Sequence, residues 1–304
     1  MSELSLIAWL RARIRTGGAC EVGPGDDAAV LRLEQNSRTV VTTDAFLEGT
    51  HFSPDADPRR IGNKVIAASV SDIAAMGCYP LASFVTTGIN RRVADDYVRA
   101  LGESMISAAE KFGAPICGGD VTSWDNPLAI TVTVIGETKS LNPVLRSGAV
   151  PGDLVFVTGA LGGSLLGRHL DLEPRVNEGV FINKSGASAM IDVSDGLSTD
   201  LAHLAEESGC GAVIYERAIP VSDAAREASK RDGTAPIEHA LNDGEDFELL
   251  FTIPPAKATA LRRSWQFATA LTEIGVMGGT GLHIERSDGR REPLAPRGYE
   301  HKWK

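Results

Sequence analysis

Leu128-Ala129-Ile130-Thr131-Val132-Thr133-Val134-Ile135-Gly136 alternates in period two, the signature of a strand with one covered face. It follows a shorter strand that runs into Ile116-Cys117-Gly118-Gly119-Asp120, so two strands are neighbours in the chain. Upstream, Leu81 to Ile89 reads as a strand and Val93 to Phe112 as a helix. Before these come a capped amphipathic helix from Ser2 through Ile14, a turn at Gly23-Pro24-Gly25-Asp26-Asp27, and strands at Ala28 to Leu33 and Thr39 to Thr43. Pro58 to Met76 has helical spacing, with proline in the first turn. Downstream the mixture repeats: strands at Asp153 to Thr158, Ala189 to Val193, Gly211 to Tyr215, Phe247 to Ile253, Leu271 to Val276 and Leu282 to Glu285, and a helix at Leu197 to Glu207. Adjacent strands among interleaved helices predict a mixed α+β fold, not a doubly wound parallel sheet. Ser140 to Asp153 carries two prolines, two glycines and little periodicity, so the expected domains are 1–139 and 140–304.

Composition narrows the function. Hydrophobic residues make up 43% and charged residues 23%, ordinary globular usage that sustains a core and argues against disorder. Forty acidic residues against thirty basic ones give a charge of -10, which disfavours a general nucleic-acid or membrane-surface binder and suits a collector of cations. Cys20, Cys78, Cys117 and Cys210 form no Cys-x-x-Cys pair, so they read as buried thiols and not as zinc ligands or a disulfide framework. The apolar stretch from Leu4 to Leu10 is broken by Arg11, Arg13 and Arg15, too short and too charged for a signal-peptide core. No later apolar run is long enough to cross a bilayer, and a cytoplasmic location is the expectation.

The chemistry is carried by aspartates. Apolar or β-branched runs stop at Asp44, at Asp72, at Asp120 and at Asp192-Val193-Ser194-Asp195, and Asp26-Asp27 precede a fifth such run. One aspartate at the end of an element is ordinarily a helix cap or turn former. Five such sites beside Gly, Ser and Thr point instead to gathered carboxylates whose repulsion a divalent cation relieves. Magnesium, which pairs a few carboxylates with substrate phosphates, suits a scattered set better than a contiguous loop. Gly25, Gly118 and Gly119 let the backbone approach a ligand closely. Gly159 to Gly167 holds four glycines but lacks the Gly-Lys-Ser/Thr ending of a P-loop, and reads as a structural turn and helix start. A protein-kinase catalytic loop and a Gly-x-Ser-x-Gly elbow are both missing.

Together these segments resemble the thiamine-monophosphate kinases. The resemblance rests on Gly23-Pro24-Gly25-Asp26-Asp27-Ala28-Ala29, Thr42-Thr43-Asp44, Glu48-Gly49-Thr50-His51-Phe52 and Ser71-Asp72-Ile73-Ala74-Ala75-Met76-Gly77. It continues through Gly118-Gly119-Asp120-Val121-Thr122, Arg146-Ser147-Gly148-Ala149, Pro151-Gly152-Asp153 and Ile191-Asp192-Val193-Ser194-Asp195-Gly196-Leu197. It ends with Asp243-Gly244-Glu245-Asp246-Phe247-Glu248-Leu249-Leu250-Phe251-Thr252 and Gly298-Tyr299-Glu300-His301, and so spans nearly the whole chain.

The resemblance implies the aminoimidazole ribonucleotide synthetase-like superfamily: an N-terminal α/β domain whose sheet forms a homodimer, and a C-terminal α+β domain. It implies several magnesium ions held by Asp27, Thr42, Thr43, Asp44, Asp72, Asp120, Asp192 and Asp195. ATP would contact Gly119, Asp120, Arg146 and Ser194, and thiamine monophosphate would face His51, Glu245 and Tyr299. Asp44, Asp72, Asp120 and Arg146 would carry the transfer, with neither nucleic acid nor membrane as partner. Three departures bear on the acceptor and the nucleotide. The family's longer helical segment before its His-Leu-x-Pro-x-Pro-Arg stretch is reduced here to Arg168–Arg175, Glu300-His301-Lys302-Trp303 stands near the terminus in place of the usual His-Phe pair, and Phe112 stands for the tyrosine ahead of Gly-Gly-Asp. Two other readings keep the fold: an ATP-dependent ligase of the synthetase type, and a non-catalytic nucleotide or metal binder. The Glu48–Phe52 block favours the kinase over the first, and the complete aspartate set favours it over the second.

Overall fold

The computed structural model describes residues 3–14, 18–23, 29–35 and 37–300. Ser2, the residues 24–28 with Asp27 among them, and His301-Lys302-Trp303 lie outside the described residues. Two compact units are present, one made of Met1–Ala74, Cys78–Asn142 and Leu170–Val176, the other of Ala75–Gly77, Pro143–His169 and Asn177–Lys304.

The first unit runs α1 (Glu3–Arg11), β1 (Cys20–Val22), β2 (Val30–Leu31), β3 (Thr39–Leu47), α2 (Pro58–Ala75), β4 (Tyr79–Asn90), α3 (Asp95–Lys111), β5 (Ile116–Trp124) and β6 (Ala129–Glu137). Its four-stranded sheet has the order β3-β6-β4-β5, parallel only between β4 and β5, where α3 supplies the crossover that a parallel pair needs. Ile61, Val65, Ile66, Val70 and Ile73 keep helical spacing along α2 and are fully buried. They sit against a sheet face built from Ile130, Val132 and Val134. The fit is close: a Cβ on Gly136 of β6 would lie 2.7 Å from Ile73 Cγ2. The other face is open along β3, where Val41, Thr43, Ala45 and Leu47 alternate to the outside. Val41 is 60% exposed and Leu47 45%, a pair of apolar residues left to water at a sheet edge.

The second unit runs β7 (Leu154–Thr158), α4 (Val176–Lys184), β8 (Ala189–Asp192), α5 (Leu197–Glu207), β9 (Ala212–Tyr215), α6 (Asp223–Asp232), α7 (Pro236–Asn242), β10 (Leu249–Ile253), α8 (Pro255–Ser264), β11 (Leu271–Met277), β12 (Leu282–Glu285) and β13 (Arg291–Pro293). The sheet order is β13-β12-β9-β11-β7-β10-β8, antiparallel except for β12 with β9. Alternate residues of the central strands feed two cores. Val155, Val157, Ile191 and Leu250 pack with Leu197, Leu201 and Leu204 of α5, whereas Phe156, Met190, Leu249 and Phe251 pack with Ile182 of α4 and Leu261 of α8. Burial on both faces is why β10 reads Leu-Leu-Phe-Thr-Ile without polar alternation, its one hydroxyl, on Thr252, accepting from the Ala189 amide at 3.1 Å.

The architecture is mixed α+β as the sequence predicts, and the finer boundaries differ in an instructive way. β3 continues past Asp44 to Leu47 and β5 passes through Gly118-Gly119-Asp120, while α2 passes through Asp72 as the expected helix from Pro58 to Met76 does. These three aspartates therefore sit inside regular elements, not at their ends. Among the described residues, no helix is long and apolar enough to cross a membrane.

The crossing of α2 and α3 yields a direct test of packing. A Cβ on Gly62 would lie 2.8 Å from Ser104 Cβ and 2.9 Å from both Leu101 O and Met105 N, two of them backbone atoms that cannot swing away. Gly62→Ala is expected to cost about 1–3 kcal/mol by overpacking and to lower the urea midpoint accordingly. Gly113→Ala, with φ 77° and no described atom within 4 Å of its Cβ, tests backbone strain alone and should cost about 1 kcal/mol. A Gly62→Ala midpoint equal to the unmutated protein's contradicts the close crossing.

Candidate active site

Alternation along β3 turns Thr42 and Asp44 to the side covered by α2, where Asp72 waits. The Thr42 hydroxyl donates to Asp72 Oδ2. Burial, and after it the charge of Asp72, push Asp44 up to about 6, against a lowering hydrogen bond from Ser69. Asp44 Oδ2 is buried with no hydrogen-bond partner among the described residues. Buried acceptors are almost always satisfied, so an orphan carboxylate oxygen beside a second carboxylate is what a cation site looks like when drawn without its cation. The Thr43 hydroxyl, by the same alternation, lies on the open face and shares a hydrogen bond with Thr133 (3.0 Å), so the fold does not bring it to Asp44 and Asp72.

His51 follows β3 in a tight turn. Its Nδ1 accepts from the Leu47 amide (2.9 Å), which puts the proton of the neutral ring on Nε2 and makes that atom a donor. Phe46 holds the ring edge-on, with centroids 5.8 Å apart, and the buried Lys64 ammonium donates to the His51 carbonyl at 2.6 Å.

Gly119 and Asp120 stand on β5, the far edge of the sheet. A side chain at Gly119 would fall on the Val85 carbonyl, so the residue is glycine by necessity, with φ 154°. Asp120 is in register with Thr86, Thr86 with Thr131, and Thr131 with Ala45. Three strand spacings thus separate β5 from β3, about 14 Å at the usual 4.8 Å. Within one chain, Asp120 and Asp44 cannot share an ion. Beside Gly119 opens a mostly apolar cavity of about 610 Å³, walled by α1, α3 and β5 through residues such as Leu10, Leu101, Met105 and Val121, with Thr87 and Asp120 among its few polar contributors. Phe112 is not among its lining residues; it packs beneath the Lys111 ammonium.

In the second unit the other expected residues, Arg146 apart, converge on one end of β8. Asp192 ends that strand and is 3% exposed. The loop after it is tied by Asp200, whose Oδ2 accepts from the Asp195 and Gly196 amides at 3.1 and 3.0 Å. Burial first, then Asp192 and Asp195, push Asp200 up to about 8. Asp195, Asp200 and His203 present ligand atoms within 4.8 Å of one another. Sequence reasoning missed Asp200 and His203, although their spacing of three on α5 puts them on one helix face, a signal that was there to use. Glu245 donates its amide to Ser194 O (2.7 Å), and Tyr299 donates its amide to Asp195 O (3.0 Å), so both reach the loop through the main chain. Gly298 allows that approach, because a Cβ there would fall on Asp195 O. The Tyr299 ring is half exposed. Arg146 is exposed on a segment laid along β8: the Met190 amide donates to Leu145 O (2.9 Å), and Ser208 donates to Arg146 O (3.1 Å).

The expected residues therefore form two sets, Thr42, Asp44, His51, Asp72, Gly119 and Asp120 in the first unit, and Arg146, Asp192, Ser194, Asp195, Glu245 and Tyr299 in the second. Both sets are rich in carboxylates: Asp44 and Asp72 are half-buried and Asp120 exposed in the first, and Asp192 is buried with Asp195 and Glu245 half-buried in the second. Residues 25–138 match the N-terminal domain of AIR synthase related proteins, and residues 154–285 match their C-terminal domain. The chain is 40% identical to a thiamine-monophosphate kinase of Rhodopirellula baltica, covering 98% of this chain and 97% of the relative. The crystal structure of a thiamine-monophosphate kinase from Stenotrophomonas maltophilia superposes with a TM-score of 0.84 at 32% identity, over 97% of this chain and 98% of the other. A further structure, AaThiL complexed with AMPPCP and TMP, superposes with a TM-score of 0.78 at 31% identity, over 89% of each chain. With these likenesses running nearly end to end, the chain belongs to the thiamine-monophosphate kinase family, within the AIR synthase related proteins.

Proposed function

We propose that this protein transfers the γ-phosphoryl group of ATP to thiamine monophosphate, giving thiamine diphosphate and ADP. The observation that carries the reading is the buried, orphaned Oδ2 of the half-buried Asp44, in the field of Asp72. The relative crystallised with AMPPCP, an ATP analogue, and TMP supplies the two substrates. Asp44, Asp72, Asp192 and Asp195, with Thr42, Asp27 and Asp120, would hold magnesium, which neutralises phosphate charge during transfer.

The chain's own groups do the aligning. Arg146, exposed beside β8, suits paired hydrogen bonds to the nucleotide phosphates. Gly119 lets the nucleotide lie against β5, and the adjoining apolar cavity suits its base. The Nε2–H of His51 offers a hydrogen bond to the acceptor phosphate. Glu245 and Tyr299 suit the cationic thiazolium ring, one by charge and the other by its face. An oxygen of that acceptor phosphate attacks the γ-phosphorus while the bond to the β,γ-bridging oxygen breaks and ADP departs. The attacking oxygen is already ionised near neutral pH, so the step asks for no strong general base. We place the reaction in the cytoplasm, where ATP is at hand.

A homodimer goes with this reading. Each four-stranded sheet has two open edges, β3 and β5, and an apolar outer strand. Two copies joined edge to edge leave no edge unpaired and bring one copy's Asp120 beside the other's Asp44, which a single chain keeps far apart.

Two outcomes follow. Coupled ADP release should be seen with thiamine monophosphate and not with thiamine or an aminoimidazole ribonucleotide precursor; release only with the precursor would replace the kinase by a ligase. Asp44→Asn and Asp120→Asn should each be inactive alone. Mixed and allowed to exchange subunits, they should regain about a quarter of full activity, since half the dimers are hybrids with one intact site of two. Mixtures that exchange subunits and stay inactive rule out a site shared across the dimer.

A further inference from the structure

The Gly159–Gly167 stretch has the look of a phosphate cradle, yet the chain's own polar groups already occupy its donors. The Gly162 amide donates to Asp246 Oδ2 at 2.8 Å, the Gly163 amide to Asp243 Oδ2 at 2.8 Å, and the Ser164 hydroxyl to Glu245 O at 2.6 Å. A Cβ on Gly162 would lie 2.6 Å from the Ala240 amide nitrogen, so the loop has no room for another residue type there.

Arg168 closes this arrangement. Its guanidinium bonds Asp246 Oδ1, reaches Asp246 O at 3.4 Å, and lies 3.9 Å from Glu248 Oε1. Asp246 and Glu248 are 1% and 2% exposed, two buried acids that both face the Arg168 guanidinium. Breaking such a pair from one side leaves an uncompensated buried charge. On either side of Asp246 the backbone is unusual, with Glu245 at φ 57° and Phe247 at φ 51°, left-handed values that a non-glycine residue holds only when its surroundings enforce them. The opposite side of the turn is tied as well, by the Glu245 amide to Ser194 O and the Phe247 amide to Val193 O, both 2.7 Å. The turn is therefore clamped between a glycine cradle and the loop that carries Ser194 and Asp195.

We propose that Arg168 is a positioning residue for acceptor recognition, fixing the Gly244–Glu248 turn through Asp246 and so setting Glu245 against the Ser194–Asp195 loop to meet a cationic ring. The proposal rests on the reading of Glu245 as facing the acceptor.

The test compares Arg168→Met, Arg168→Lys and Ser164→Ala with the unmutated enzyme, in steady-state kinetics and in amide hydrogen exchange at Glu245 and Phe247. Arg168→Met should raise the KM for thiamine monophosphate about ten-fold, the scale of one charge-assisted contact, and leave the KM for ATP within about two-fold. Its preference for thiamine monophosphate over a neutral deaza isostere should shrink, and both amides should exchange faster. Arg168→Lys, which keeps the charge and loses the fork, should recover part of each effect. Should Arg168→Met not fold, Ser164→Ala loosens the same turn and carries the same readouts. Faster exchange with an unmoved acceptor KM overturns the proposal, as do unmoved exchange or an equal rise in both KM values. An unmutated enzyme inactive toward thiamine monophosphate refutes the functional reading itself, and does so before any substitution is compared.

Discussion

Carboxylates that repel one another stay together only on elements stiff enough to hold them. Two unit charges 4 Å apart interact by about 4 kcal/mol at an effective dielectric of 20, while a single hydrogen bond returns about 1 kcal/mol. The Thr42–Asp72 bond therefore cannot by itself offset the crowding around Asp44. What holds the pair is the scaffold: β3 is paired with β6 along its whole length, and α2 is anchored by a fully buried apolar stripe. Burial and the charge of Asp72 push Asp44 up to about 6, and one of its oxygens is buried and unanswered among the described residues. In the proposed reaction a magnesium ion would answer it. The second unit repeats the device with Asp192, Asp195 and Asp200 at the end of β8, where Asp200 lends its carboxylate to the loop amides.

Close backbone approach is the second constraint, and glycine meets it at a few defined points. Gly119 sits where any side chain would strike the neighbouring strand, and Gly298 where one would strike the Asp195 carbonyl. The Gly162-Gly163 pair serves differently, turning its amides on Asp246 and Asp243. A loop whose composition resembles a phosphate binder here binds carboxylates of its own chain, next to a turn tied to Val193 and Ser194 by the main-chain bonds of Phe247 and Glu245.

The strands and the long helices were legible because their periodicity is strong: β6 alternates cleanly, and α2 and α3 keep apolar residues at helical spacing. The candidate aspartates were picked out for a partly mistaken reason. Their runs look like element ends because Asp is a poor strand former, yet Asp44 and Asp120 lie within strands and Asp72 within a helix, held there by tertiary pairing that overrides propensity. α6 went unseen because its sequence, Asp-Ala-Ala-Arg-Glu-Ala-Ser-Lys-Arg-Asp, buries only Ala225 and Ala228 and offers almost no apolar stripe. The side of the sheet that Thr43 faces needed the strand phase, which Thr42-Thr43-Asp44 alone does not set. Nor does spacing in sequence reveal that two strands separate Asp120 from β3.

The central claim is that the buried carboxylates around Asp44 are mutually destabilising until a cation joins them, and thermal unfolding of the magnesium-free protein tests it most directly. Asp44→Asn keeps the shape and removes the charge, so the variant should unfold above the unmutated protein without magnesium, by roughly 2–4 °C for each kcal/mol of repulsion relieved. Magnesium should raise the unmutated protein's transition and raise the variant's by clearly less. An Asp44→Asn protein that unfolds below the unmutated one without magnesium, and responds to magnesium undiminished, would contradict the account.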